Sequence, residues 1–259
     1  MRMMKKVLGT VTVLALSASL LAGCGSTAVS PVSSAASTAA ESTTSSVVSE
    51  TTSAAADENA AAAAKLLNDL TGSYQELWPV ILADEYQQTW LDDCTALVGE
   101  ENAEAAFEKL SSMVTGDVYG EDAVEAYANG GGAYFCGFTN SLATLTFDGE
   151  TSTISGTDKD GNVLFSHTYH YIGMEPVHGL YEFESDDADS GEFTYFFLAP
   201  DTSAETYHIE FRYGSDAEAL SQYDAGEYAY WVASGISTDC DQTMIDNCIE
   251  LFCTENLAG

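Results

Sequence analysis

The chain has 259 residues, 41 acidic against seven basic side chains, and a formal net charge of −34 at neutral pH. That balance excludes nucleic acid as a partner and disfavours anionic lipid, while it draws cations to the surface. The six cysteines show no CxxC spacing, so neither a redox motif nor a zinc knuckle is present.

Arg2, Lys5 and Lys6 precede a mostly apolar run from Val7 to Leu21, the pattern of a secretory signal peptide. It ends Leu21-Ala22-Gly23-Cys24, which resembles the bacterial lipobox. The resemblance implies a leader over 1–23, cleavage before Cys24 and a diacylglycerol on its sulfur, holding the protein at the bacterial cell surface. Residues 24–59 are rich in Ser, Thr and Ala and offer little to bury, so they read as a disordered tether. Residues 60–259 are long enough for one domain with a core. All the acids lie after Cys24, so the exported chain is more acidic still. Five cysteines remain beyond Cys24. That odd number leaves at least one thiol unpaired or paired between chains, and export permits disulfides that sequence does not assign.

Ala60 to Leu70 reads as an alanine-rich helix. Ser73 to Asp84 has apolar residues at helical spacing (Tyr74, Leu77, Trp78, Ile81) with a soft break at Pro79. Helical pattern continues over Glu85 to Leu97, over Gly99 to Thr115 with Ala103, Phe107, Leu110 and Met113 inward, and over Glu121 to Ala128. Gly130-Gly131-Gly132 breaks the chain, and the period changes to two. Strands are predicted over 133–138, 141–147, 151–155, 163–172, 177–184, 193–198 and 206–213, separated by turn signals such as Asp148-Gly149 and Asp158-Lys-Asp-Gly161. The last of these lacks the twelfth-position glutamate of an EF-hand loop, since residue 169 is Tyr, and reads as a hairpin turn. A short helix over Asp216 to Tyr223, an aromatic loop or strand over Gly226 to Ile236, and a helix capped by Ser237-Thr-Asp complete the chain. The fold class is α+β, mainly β: an antiparallel β-barrel with helices before and after it.

Neither a Gly-x-Ser-x-Gly elbow nor a phosphate-cradling glycine loop occurs, and no catalytic set stands out, so no enzyme is expected. His167 and His170 are three apart on a strand and face opposite ways. His178 follows Pro176 and reads as a surface or hydrogen-bonded side chain. His208 and Glu210 are two apart on a strand and share a face. They are either half of a metal site or two solvated side chains on a barrel wall. The aromatics read as barrel core or as the lining of a cavity.

Three stretches carry a family resemblance. His208-Ile-Glu-Phe-Arg-Tyr-Gly-Ser-Asp216 resembles the His-x-His-x-x-x-Gly-x-Asp strand of ZinT (YodA) domains. Phe193-Thr-Tyr-Phe-Phe-Leu-Ala-Pro200 is similar to the strand before it, which in the family reads Phe-Ser-Asp-His-x-Ile-Ala-Pro. Leu70-Thr-Gly-Ser-Tyr-Gln-Glu-Leu-Trp-Pro79 is similar to an N-terminal family segment. The resemblance spans roughly residues 66 to 255. It implies a calycin (lipocalin)-like barrel and an exported protein that binds zinc through three histidines, scavenges it and passes it to an importer. The chain departs from the pattern where that function sits: His208 matches the first paired histidine, Glu210 replaces the second, and Phe196 stands at the third. Two expectations follow. In one, His208 and Glu210 hold zinc or a harder divalent ion, with water or another carboxylate completing the site. In the other, the metal site has degenerated and the barrel binds a small molecule or a protein.

Overall fold

A computed structural model describes residues 58–199 and 208–258. The expected leader, lipidation site Cys24 and most of the tether lie outside these residues, as do Pro200 and the first two residues of the strand predicted over 206–213.

Eight strands form one closed antiparallel barrel in sequential order: β1 (Gly72–Glu76), β2 (Thr144–Asp148), β3 (Thr153–Thr157), β4 (Val163–Met174), β5 (Tyr181–Ser185), β6 (Tyr195–Leu198), β7 (His208–Gly214) and β8 (Ala233–Ser237). Closure comes from β1, which pairs with β2 through Ser73↔Thr146 and with β8 through Gln75↔Ile236. The calycin-like barrel expected from the sequence is therefore present as an up-and-down meander. Helix α1, over residues 58–69, precedes it.

The barrel interior is filled. Phe147, Phe165, Phe183, Phe196, Phe211 and Tyr213 belong to one buried cluster. Leu66, Leu67 and Leu70 of the α1 segment join that cluster. The helix backbone comes so close to the β2–β3 turn that a Cβ on Gly149 would lie 2.4 Å from the Asn68 Cα, so only glycine fits there. The same turn is fixed by Asp148, whose Oδ1 accepts from the Glu150 and Thr151 backbone N–H groups.

Between β1 and β2 the chain makes a helical excursion: α2 (Leu77–Ile81), α3 (Gln87–Val98), α4 (Ala103–Met113) and α5 (Glu121–Ala128). The last helix, α7 (Gln242–Leu257), packs on α3 and more lightly on α2 and α4. Helices α2, α3, α4 and α7 and the outward residue Ile236 of β8 form a second apolar cluster built on Trp78, Trp90, Leu110, Ile249 and Cys253. Trp90 donates its indole N–H to the Ile81 carbonyl, so this large ring is buried without an orphaned donor.

Four local expectations are corrected. Gly72–Glu76 is a strand where helical spacing suggested a helix; only Leu77–Ile81 is helical there. The five residues carry too short a pattern to show their period, and their partners are 71 to 163 positions away. Residues 133–138 form bridges at Phe135 to Thr115 and Trp231 but no ladder. The strand predicted from 177 starts at Tyr181, because the buried Glu175 carboxylate accepts from the Val177 and His178 backbone N–H groups and holds a turn there. The final helix is capped by Asp241, which accepts from Met244 N, and not by the Ser237-Thr-Asp segment.

Candidate functional site

Strand alternation on β7 sets the geometry of the site. Ile209, Phe211 and Tyr213 enter the barrel cluster, so His208, Glu210 and Arg212 project from the outer wall. Opposite them on β8, Ile236 pairs with His208 and Ser234 with Glu210. The two predicted donors thus share a face, and that face lies beneath the helical layer.

Helix α7 covers it. Residues Cys248, Leu251, Phe252 and Glu255 follow the three- and four-residue spacing of a single helix face. A small pocket of about 30 Å³ separates the two elements, and His208, Glu210, Cys248 and Glu255 all line it, with Trp78 and Phe252 as apolar walls. Burial pushes the His208 pKa down to about 4, so the ring is neutral at physiological pH. A neutral imidazole is the form that ligates a metal. Among the described residues, no three His, Cys, Asp or Glu side chains converge closely enough to hold an ion. Each of the four around this pocket already has an interaction of its own, so an ion would exchange existing contacts.

The helix-borne pair, Cys248 and Glu255, escaped the sequence reading. Their separation of two helical turns was visible in the chain, but which helix face meets β7 was not.

Phe196 lies on the other side of the wall. It is Cα partner to Tyr213 on β7, and its ring stacks on Tyr213, Phe165 and Phe211 inside the barrel. The resemblance sets this position beside His208, but the barrel register turns the two apart. The other histidines also stand elsewhere. His167 Nδ1 is 2.8 Å from Asp187, and His170 Nδ1 is 2.7 Å from Asp186, at the acidic turn after β5. The His178 ring packs 3.8 Å from the Tyr223 ring centroid. The Asp158 turn is a hairpin connection, its carboxylate accepting from Asp160 N, Asn162 N and Asn162 Nδ2.

Next to the pocket lies a buried polar group. Arg212 is fully buried; it donates to the carbonyls of Leu220, Gln222 and Tyr228 and lies 4.1 Å over the Tyr223 ring. It thereby ties α6 (Ala217–Leu220) and the loop after it to β7. Asp216 caps α6 by accepting from Glu218 N and Ala219 N. No helix among the described residues is long and apolar enough to cross a membrane.

No family model matches the chain, and no curated protein does. Solved structures similar to it include two zinc-bound proteins. One is the zinc-bound ZinT-like domain of Streptococcus pneumoniae AdcA, at 16% identity and a TM-score of 0.45, covering 71% of this chain and 89% of that domain. The other is zinc-bound AdcA from the same organism, at 15% identity and a TM-score of 0.42, covering 72% of this chain. This chain spans 35% of that longer protein.

Proposed function

We propose that the domain binds a divalent metal ion as cargo in the seam between β7 and α7. The observation that carries this reading is the set of four donors, His208, Glu210, Cys248 and Glu255, around one small pocket. Strand and helix supply two donors each, so an ion entering the seam would pin the helix to the barrel wall. One imidazole, one thiolate and carboxylate oxygens make a mixed set that suits zinc better than calcium or magnesium, which prefer oxygen alone. Binding would remove the Cys248 proton and tighten as pH rises.

The wider reading is a lipid-anchored protein outside the cytoplasm that gathers the ion and hands it to an importer, without chemistry of its own. The lipobox resemblance at Cys24 and the acidic surface support that setting. Cobalt(II) substitution tests the site. The wild type should show a thiolate-to-cobalt charge-transfer band that disappears in Cys248→Ser and in His208→Ala. A d–d spectrum of hexa-aqua type and no charge-transfer band in the wild type would contradict the assignment.

A further inference from the structure

Helix α3 packs on α7, and two sulfurs meet within that contact. Cys94 Sγ of α3 lies 3.9 Å from Cys253 Sγ of α7. Both residues are fully buried in the cluster that holds Trp90, Leu110 and Ile249. They are 159 positions apart in the chain, so it is the docking of the last helix that brings them together. Disulfide sulfurs are about 2.05 Å apart, so each sulfur has to move by roughly 1 Å to form the bond. Rotation of each side chain about its Cα–Cβ bond gives a displacement of that size.

The other described cysteines are placed differently. Cys136 Sγ lies against the Tyr134 carbonyl, Cys240 is half-buried between β8 and α7, and Cys248 lines the seam pocket. Burial raises the pKa of both the Cys94 and the Cys253 thiol, and the charge of Asp93 adds to it. The thiolate is the attacking form in disulfide exchange. Exchange therefore belongs to the chain before α3 and α7 dock, and the docked helices shield the bond afterwards.

We propose that Cys94 and Cys253 form an intramolecular disulfide in an oxidising compartment, with a low-molecular-weight disulfide as the oxidant. One cysteine thiolate attacks the oxidant, breaks its S–S bond and releases one thiol. The second cysteine then attacks the mixed disulfide, forms the Cys94–Cys253 bond and releases the other thiol. The cysteines together lose two protons and two electrons, and the oxidant is reduced to two thiols. The product braces α7, the helix that closes over β7, against α3. A cross-link over so long a loop restricts the unfolded chain and so stabilises the fold. The bond spares Cys248, and it does not depend on the metal reading.

The test unfolds and refolds the full chain with chelator present, in a mixture of reduced and oxidised glutathione or in reductant. Free thiols are blocked with iodoacetamide, and the protein is cleaved after glutamate without reduction. Glu250 stands between Cys248 and Cys253, so the cleavage tells their peptides apart. Mass spectrometry should find the Cys94 peptide joined to the Cys253 peptide, with Cys136, Cys240 and Cys248 alkylated. The oxidised protein should melt about 10 °C above the reduced one. Cys94→Ala and Cys253→Ala should each abolish that difference, and Cys248→Ala should keep it. The peptide map needs no variant, so the proposal stays falsifiable if a substitution prevents folding. Alkylation of both Cys94 and Cys253 after oxidative refolding, linkage of either to another cysteine, or equal melting of the two forms would overturn it.

Discussion

Phe196 and His208 project from opposite sides of the barrel wall. Phe196 stacks on Tyr213 with ring centroids 5.4 Å apart inside, while His208 faces outward beside Ile236. Restoring a histidine at position 196 therefore cannot complete a site at His208. Phe196→His should leave zinc affinity unchanged and destabilise the domain by about 2–4 kcal/mol, because it removes aromatic packing and buries an imidazole. Chemical denaturation beside a zinc titration checks both halves.

Arg212 should be among the least replaceable residues. Arg212→Leu removes the donor to three carbonyls, those of Leu220, Gln222 and Tyr228, and the cation over Tyr223. The expected loss is about 3–5 kcal/mol, the scale of breaking a buried charged network by removing one member. Lysine should not rescue it, since one ammonium cannot reproduce the guanidinium fork. Urea denaturation of the two variants beside the wild type measures this.

Acid stability should carry a His208 component. Its pKa falls from 6.5 to about 4 on folding, so between these values the unfolded chain binds more protons than the folded one. Stability therefore rises with pH across that window and is lost on acidification, by up to about 1.4 kcal/mol per pH unit. The half-buried Asp93 and Glu182 act with the opposite sign, since partial burial raises their pKa values. The difference between wild type and His208→Gln, followed from pH 7 to 4, isolates the histidine. The variant should lose less stability than the wild type.

The thiols should differ in reactivity. Cys94, Cys136, Cys248 and Cys253 are buried, and Cys94 and Cys253 face each other at 3.9 Å between α3 and α7; Cys240 is only half-buried. Burial raises the pKa of Cys94, Cys136, Cys240 and Cys253, so reactivity follows access rather than acidity. Among these five, native alkylation of the reduced protein followed by peptide mapping should find Cys240 labelled first and the others only on unfolding.

Much of the fold was legible because its signals are local. Strand alternation in β7, the Asp148-Gly149 turn and the periodic faces of α3, α4 and α7 are all written within a few residues. β1 was not legible: five residues shared between two distant strands show no period of their own, and Tyr74 also fits a helical stripe. The site divided in the same way. The shared face of His208 and Glu210 follows from a spacing of two. Their partners on α7 depend on how a helix docks, and the barrel register that turns Phe196 inward depends on long-range pairing.

The most direct test of the metal account is calorimetric titration of zinc into chelator-stripped protein at moderate salt, which screens loose binding to the acidic surface. Wild type is compared with His208→Ala and Glu210→Gln. The account predicts one stoichiometric site in the wild type, lost in His208→Ala and weakened at least tenfold in Glu210→Gln. Weak multi-site binding that neither substitution alters would contradict it.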